Sequence, residues 1–496
     1  MDQLDTLLKT LNLKQQHLKA DGHISGISYH AQRVEEGHLF VCIRGHQTDG
    51  HKYLKDAVSR GCKAAIVEEI QSDVDIPQYQ VENSRIALAK VSSLFYDEPS
   101  KELNVIGVTA TNGKTSTTYM INEILEANQF ETGLIGTVNV KIGKHSYPAE
   151  LTTPESLEAQ YFLKRMTESQ VSHVTMEVSS AAQEMHRNDF IDYNIVTFNN
   201  IGREHIDTHG SVENYVAAKS KLIKNAKPDS FAILNMDDEI SASLADQTKA
   251  KVVTFSVNND EGDLVCKNLD LSTGRPSFTV KLCRPLKVNE TFTWEPMTFQ
   301  VDMTVPGIHS VYNSMVAITA ALLSEVPVSV IQSALKNFKG VDRRFQFIYE
   351  GDCKIVDDHF ANPGNIDITM GTLTQMDFNN LHMVYAIRGQ RGPVVNRENA
   401  EKIAIWAKEL NLTHIIATKS ISNVTKRDVV TKAEEDAFMD VMTEARISVS
   451  LYDELTDAIK AALMSTSKED LILLAGCQGM DNGAEIALRE KNTSVI

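Results

Sequence analysis

The sequence lacks the features of membrane, disulfide-rich and nucleic-acid-binding proteins. No apolar run approaches the roughly 20 residues that a membrane-spanning helix needs, and the six cysteines show no CxxC spacing. Scattered cysteines argue against a zinc site and are typical of reduced thiols in a cytosol. The 49 basic residues are outnumbered by 66 acidic ones, and a net charge of −17 would repel nucleic acid and anionic membranes. We expect a cytoplasmic monomer that binds small molecules, with no nucleic-acid or membrane partner.

What the chain does contain is the composition of a globular α/β protein. Its 496 residues are 42% hydrophobic and 23% charged, which predicts about three domains. The predicted boundaries are 1–99 for a small α/β domain, 100–338 for a central domain and 339–496 for a second α/β domain. Apolar strands alternating with helices predict largely parallel sheets in the last two domains. The central strands are NVIGVTA, SHVTMEV, YNIVTFN, FAILNMD and KVVTFSV, and the C-terminal strands are CKIVDD, LHMVYAIRG, THIIATK and DLILLAG.

Two further segments complete the central domain. Residues 260–305 alternate apolar and polar side chains, which predicts antiparallel strands. Residues 312–323 predict an apolar helix, after which we expect the domain boundary near Gly340.

A phosphate-binding loop is the strongest functional signal. The stretch NVIGVTATNGKTSTT, residues 104–118, carries an apolar strand straight into a loop that opens a helix. Backbone amides and a helix N-terminus bind phosphate oxygens, while a lysine adds positive charge and a hydroxyl suits Mg²⁺. The strict GxxxxGK[ST] pattern fails, since its first glycine falls on Val108. The predicted nucleotide contacts are Thr111, Asn112, Gly113, Lys114, Thr115 and Ser116.

Several stretches in a fixed order resemble the Mur ligase family. The loop TATNGKT is similar to that family's TGTNGKT, with Ala110 in place of a glycine. It is followed by LTTPES, MEVSS, NNIGREHIDTHGS, AAKSKL, PGIHSVYN and DDHFANP, so the resemblance covers nearly the whole chain. It implies a three-domain fold with a central ATPase-like parallel sheet and a C-terminal Rossmann-like domain that binds the incoming amino acid. The resemblance is strongest to the members that add the third residue to UDP-N-acetylmuramoyl-L-alanyl-D-glutamate.

The resemblance also implies a chemistry. Such ligases activate a carboxylate as an acyl phosphate with ATP, and an amine then displaces phosphate. Both steps gather negative charge, so catalysis rests on cations and on positioning. The implied catalytic residues are Lys114, Glu177, His205 and a carbamylated Lys219, and the implied ligands of two Mg²⁺ ions are Thr115, Glu177, His205 and Lys219.

Each of these residues has a plainer alternative. For Glu177 the alternative is an exposed carboxylate at a strand end, which the following serines and the preceding phosphate loop disfavour. For His205 and its neighbour His209 it is a solvated loop histidine, and for Lys219 a surface lysine on an amphipathic helix. Carbamylation needs the neutral amine, which the sequence does not reveal.

The resemblance assigns further contacts along the chain. ATP contacts are predicted at Asn313 for the base, at Arg344 for phosphate or ribose, and at Asp357 or Asp358 for the ribose, where the strand register leaves the choice open. Acceptor contacts are predicted at Thr152, Thr153, Ser179, Ser180 and Arg187. Arg388 and Arg391 are predicted to hold the carboxylate of the incoming amino acid, with solvated loop arginines as the alternative.

The sequence departs from the family mostly on the substrate side. The uridine-binding stretch YDSR is replaced by Tyr29-His30-Ala31-Gln32, the EVSSHA histidine by Ala181, and the KGHE-like stretch by GCQGMD; the DNP-type motif that selects the diamino acid is absent. Two other functions therefore stay open. One is a Mur-type ligase for a different carboxylate, and the other is a non-catalytic nucleotide-binding regulator, which the retained Lys114, Glu177, His205 and Lys219 disfavour.

Overall fold

The computed structural model describes residues 3–18, 20, 22–45, 48–202, 210–272 and 275–493. The α-helices are α1 (Gln3–Lys9), α2 (Leu54–Ser59), α3 (Ser84–Phe95), α4 (Lys114–Ala127), α5 (Ser156–Glu168), α6 (Ser180–Glu184), α7 (Val212–Lys224), α8 (Glu239–Ser243), α9 (Ile308–Leu323), α10 (Val328–Asn337), α11 (Pro363–Leu373), α12 (Pro393–Glu409), α13 (Lys432–Glu444), α14 (Leu455–Ser465) and α15 (Gly483–Thr493). The described helices include none long and apolar enough to cross a membrane.

Within the described residues, the strands form three main sheets and one two-stranded ribbon. Their bounds are β1 (Gln15–His17), β2 (Gly26–Ser28), β3 (His38–Val41), β4 (Ala64–Val67), β5 (Gln78–Gln80), β6 (Asn104–Thr109), β7 (Thr132–Ile135), β8 (Asn139–Ile142), β9 (His145–Pro148), β10 (His173–Glu177), β11 (Ile195–Phe198), β12 (Phe231–Asn235), β13 (Lys251–Ser256), β14 (Leu264–Asp270), β15 (Ser277–Leu282), β16 (Leu286–Lys287), β17 (Thr293–Trp294), β18 (Met297–Asp302), β19 (Gln346–Glu350), β20 (Lys354–Asp358), β21 (Leu381–Ala386), β22 (His414–Thr418), β23 (Ser448–Tyr452) and β24 (Leu471–Ala475).

The first sheet is small and mostly parallel. Its order is β1-β5-β4-β3-β2, and only β1 runs antiparallel to its neighbour. Strand β4 is buried along its whole length, because its apolar run AAIV is covered on both faces. The region combines strands and helices, as predicted for a small α/β domain, although β1, β2 and β5 have only three residues each.

The central sheet has eleven strands in the order β18-β15-β14-β13-β12-β11-β6-β10-β7-β8-β9. The strands from β14 to β7 run parallel, and antiparallel strands extend the sheet at both ends. The predicted parallel sheet and the predicted antiparallel segment are both confirmed. The predicted apolar helix is present as α9, which is nearly fully buried and packs beside α4.

The third sheet is almost entirely parallel. Its order is β19-β20-β24-β21-β22-β23, and every pair except β19 with β20 is parallel. In such sheets, ligands bind beyond the carboxyl ends of the strands. The α/β fold class is therefore confirmed, while the predicted domain boundaries at 99 and 338 stay predictions.

Candidate active site

The phosphate loop has the backbone geometry that the sequence predicted. Strand β6 is buried, and the loop turns at Gly113 with φ of +87° before α4 begins at Lys114. A Cβ atom added at Gly113 would lie 2.3 Å from Oδ1 of Asn313. Both the left-handed backbone and the close approach of Asn313 therefore require glycine at this position.

Asn200 holds the loop in shape through three hydrogen bonds. Its carbonyl accepts from the Thr111 amide at 2.9 Å, its Oδ1 accepts from the Asn112 amide at 3.0 Å, and its Nδ2 donates to the Asn112 carbonyl at 3.0 Å. Neighbouring Asn199 donates to Oδ1 of Asn313 at 3.2 Å. Sequence reasoning assigned neither asparagine, although Asn199 ends the predicted strand YNIVTFN and Asn200 directly follows it, at the same sheet edge as the loop.

Two lysines converge on a single carbonyl of the loop. Lys114 Nζ donates to the Ala110 carbonyl at 3.0 Å, and Lys219 Nζ donates to the same oxygen at 2.6 Å. Lys219 is 1% exposed, and its Nζ lies 5.2 Å from the ring centroid of Tyr215. The alternative of a surface lysine is therefore wrong, because the inward face of α7 carries Lys219 to the phosphate loop.

Glu177 lies beside the hydroxyl that follows the loop lysine. Thr115 Oγ1 donates to Glu177 Oε2 at 3.1 Å, and the backbone amide of Thr137 donates to Oε1 at 2.8 Å. Glu177 is completely buried, so the alternative of an exposed carboxylate at a strand end is wrong. The close approach of this carboxylate explains why residue 136 is a glycine, because a Cβ atom at Gly136 would lie 2.5 Å from Glu177 Oε1.

His205 and His209 lie outside the described residues, so the predicted histidine ligand stays a prediction. Among the residues that are described, no cluster of three or more His, Cys, Asp or Glu side chains is arranged to hold a metal ion.

The predicted acceptor residues form a connected group next to Glu177. Thr153 Oγ1 donates to the Glu177 carbonyl at 2.9 Å and accepts from the Ser179 amide at 3.1 Å. Thr152 Oγ1 accepts from the Thr137 hydroxyl at 3.1 Å. Ser180 is buried at the start of α6. These residues lie together because their two loops meet at the end of β10.

Arg187, which follows α6 in the chain, also contacts the predicted acceptor residues. Its guanidinium lies 3.4 Å from the Thr153 carbonyl and 2.8 Å from Glu155 Oε1, and Glu155 also pairs with Arg85 at 3.4 Å. The glutamate of LTTPES thus pairs with Arg85 of the first domain and with Arg187 of the central domain. Sequence reasoning did not assign this ion-pair group.

A cavity of about 810 Å³ joins the phosphate loop to the C-terminal domain. Asn313, Arg344, Asp358 and Arg388 all line it, although they are far apart in sequence. Asp357 is different, because it is fully buried and lies 3.4 Å from the Arg343 guanidinium. Burial raises the pKa of Asp357 to about 7. Asp358, but not Asp357, therefore lines the cavity, and which of the two contacts the ribose stays a prediction.

The two predicted arginines of AIRGQRG have different surroundings. Arg388 lines the cavity and donates to the Ala361 carbonyl. Arg391 is 42% exposed and lies 3.7 Å from Asp428. Arg388 therefore lines the 810 Å³ cavity, whereas Arg391 does not.

His359 is a cavity residue that sequence reasoning quoted in DDHFANP but did not assign. Burial, together with the nearby positive charges of Arg344, Arg343 and Arg388, lowers the pKa of its imidazole to about 3. His359 is therefore neutral at physiological pH and offers one donor and one acceptor to the cavity.

The altered uridine-binding stretch points partly into the protein core. Ala31 is 7% exposed and packs in an apolar cluster with Val34 and Phe40. The Tyr29 hydroxyl donates to Glu158 Oε1 at 3.0 Å, which ties the first domain to α5. Tyr29 is thus engaged in a contact between the first and central sheets.

Comparison with known proteins identifies three family segments. Residues 23–96 match the Mur ligase family catalytic domain, residues 108–321 the Mur ligase middle domain, and residues 343–478 the Mur ligase glutamate ligase domain. Over 463 residues the chain is 32% identical to a UDP-N-acetylmuramoyl-L-alanyl-D-glutamate--2,6-diaminopimelate ligase from Bacillus velezensis, covering 92% of this chain and 89% of that protein. The Bacillus licheniformis protein of the same name is 33% identical, with 92% and 90% covered.

Solved structures share the fold at lower identity. A UDP-N-acetylmuramoylalanyl-D-glutamyl-2,6-diaminopimelate--D-alanyl-D-alanyl ligase from Acinetobacter baumannii is 20% identical with a TM-score of 0.65, and 98% of each chain is covered. A folylpolyglutamate synthase from Mycobacterium tuberculosis is 14% identical with a TM-score of 0.63, covering 81% of this chain and 95% of that one. The full-length relatives and the three matched segments show that the chain belongs to the Mur ligase family of ATP-dependent ligases, which join an acid to an amino acid.

Proposed function

We propose that the chain adds the third amino acid to UDP-N-acetylmuramoyl-L-alanyl-D-glutamate during peptidoglycan precursor synthesis. The observation that carries the proposal is the joint position of Lys114, Lys219, Thr115 and Glu177 around one phosphate loop. Relatives that align along 92% of the chain have that acceptor in their names.

The reaction balances in two steps. A carboxylate oxygen of the acceptor attacks the γ-phosphorus of ATP, forming an acyl phosphate and releasing ADP. The amine of the incoming amino acid then attacks the acyl carbon, loses a proton and expels phosphate. Lys114 and the loop amides hold the phosphate oxygens, and since both steps concentrate negative charge, fixed cations stabilise the transition states.

The residues at the loop fit a Mg²⁺ ion. Thr115 and Glu177 supply a hydroxyl and a carboxylate, the hard oxygen ligands that Mg²⁺ prefers. Such an ion supplies charge neutralisation at the transferred phosphate. For the second ion we propose His205 together with a carbamate on Lys219, formed when the neutral amine adds CO₂ and releases a proton.

The remaining assignments follow the walls of the cavity. We assign Asn313, Arg344 and Asp358 to ATP, because all three line the space beside the loop. Thr152, Thr153, Ser179, Ser180 and Arg187 are assigned to the acceptor, since they adjoin Glu177 on the side facing the first domain.

A second candidate is a Mur-type ligase for a different carboxylate. It is favoured by Ala31, which stands where the family has a serine and packs in the apolar core of the first domain. Arg187 is also already paired with Glu155 at 2.8 Å, so its charge is partly neutralised before any acceptor binds.

Phosphate release tests the two candidates directly. The enzyme is incubated with ATP, Mg²⁺, UDP-N-acetylmuramoyl-L-alanyl-D-glutamate and a panel of single amino acids, and products are identified by mass. We expect amino-acid-dependent phosphate release and a tripeptide product. Silence with this acceptor, together with turnover of another carboxylate, would establish the second candidate.

The two arginines of AIRGQRG provide a matched pair of variants. Arg388→Ala removes a cation from the cavity wall, and we expect the KM for the amino acid to rise about 10- to 100-fold, as for a lost charge-assisted hydrogen bond. Arg391→Ala removes an exposed ion pair and is expected to change that KM less than about threefold. Equal effects in steady-state kinetics would contradict the placement of the amino acid beside Arg388. Thermal melting of both variants controls for folding.

A further inference from the structure

Helix α11 of the C-terminal domain touches the phosphate loop directly. Asn365 Nδ2 donates to Asn112 Oδ1 at 3.0 Å, and the two residues are 253 positions apart in sequence. Asn112 is the loop residue whose backbone Asn200 clamps on both sides. Helix α11 is therefore hydrogen-bonded to a loop residue, Asn112, whose backbone is itself held in place by Asn200.

The position of Asn365 is fixed by its own helix. Asn362 caps α11, and its Oδ1 accepts from the Asn365 backbone amide at 2.8 Å. Pro363 adds a preset backbone angle at the first helical position. The amide of Asn365 is thus presented to the loop from a rigid first turn.

The last turn of α11 meets the central domain as well. Gly307, which precedes α9, has φ of +84°, and a Cβ atom there would lie 2.5 Å from Thr372 Oγ1. Asn365, Ile368, Thr369 and Thr372 all line the 810 Å³ cavity, at the spacing of one helix face. One face of α11 therefore closes the cavity and contacts the central domain at both ends.

We propose that Asn365 is a positioning residue whose amide couples α11 to the phosphate loop through Asn112 and so holds the C-terminal domain over a bound nucleotide. The inference rests on the proposed function insofar as it takes the loop to bind ATP. If the two domains are already held together before ATP binds, less of the binding free energy is spent on closing the cleft. ATP then binds more tightly.

A double-mutant cycle tests the coupling. Asn365→Ala and Asn112→Ala are each expected to raise the dissociation constant of the ATP analogue AMPPNP about three- to tenfold, the range for one lost neutral hydrogen bond. The double variant is expected to bind within about twofold of the weaker single variant, since both changes remove the same contact. Calorimetry on the full chain measures all four constants.

Two further measurements distinguish a positioning role of Asn365 from a role in folding. Asn365→Ala should leave the KM for the acceptor unchanged, because the assigned acceptor residues contact Glu177 and α6 rather than α11. Asn337→Ala, an exposed asparagine at the end of α10, serves as the control and should bind AMPPNP like the unmodified chain. A melting temperature of Asn365→Ala close to that of this control excludes general destabilisation.

The outcomes are distinct. The coupling is overturned if the fold-changes of the two single variants multiply in the double variant. It is also overturned if Asn365→Ala leaves the dissociation constant of AMPPNP unchanged. Nucleotide binding requires no acceptor, so absent turnover with UDP-N-acetylmuramoyl-L-alanyl-D-glutamate would overturn the proposed function while the cycle still decides the role of Asn365.

Discussion

Lys114→Ala is expected to lower kcat by about 10³-fold or more, the loss seen when a preorganised charge at a transferring phosphate is removed. In the structure its Nζ caps the carbonyls of Ala110 and Thr111 at 3.0 and 3.1 Å. These contacts are local to the loop, and the loop is separately held by Asn200. The variant should therefore remain folded, since the loop keeps its hydrogen bonds to Asn200.

Single-turnover ADP formation measures the expected loss of activity, and thermal melting measures whether the variant remains folded. Lys144→Ala, in the exposed turn after β8, is the charge-matched control and should retain full activity. Near-normal ADP formation by Lys114→Ala would remove the phosphate loop from the proposed mechanism, whatever the acceptor proves to be.

The loop itself was predictable because its signal is local. An apolar strand, a left-handed glycine and a helix beginning at a lysine occupy adjacent positions, so residues 104–118 specify their geometry without help from distant chain. The same holds for the strands of the parallel sheets, whose buried apolar runs differ clearly from their helices. Short elements such as β8 and β9 were missed, because four residues carry too little pattern.

What the sequence left open depends on packing between distant segments. The burial of Lys219 and Glu177 follows from helices and strands that meet only in the folded protein. Which of Asp357 and Asp358 lines the cavity depends on the folded structure, in which Asp357 pairs with Arg343 and Asp358 lies at the cavity wall. Asn200 and Asn365 were not singled out, because asparagine after a strand or at a helix start is equally a turn or capping residue.

Lys219→Ala has the second large expected effect, a loss of about 10²- to 10³-fold in kcat. If the working species is a carbamate, the variant loses an anionic oxygen ligand for a cation and leaves a space of similar shape. Short-chain carboxylates such as acetate or propionate should then restore part of the activity, because they offer the same oxygen ligands. Rates measured against carboxylate concentration give the size of the rescue.

Two variants make the rescue interpretable. Lys219→Met fills the space with an uncharged chain and should be inactive and resistant to rescue. Lys221→Ala removes an exposed lysine two positions along α7 and should remain fully active. The competing explanation is that the ammonium itself acts through its 2.6 Å contact with the Ala110 carbonyl. In that case Lys219→Arg would keep substantial activity and no carboxylate would help Lys219→Ala, whereas the carbamate requires an inactive arginine variant and a rescued alanine variant.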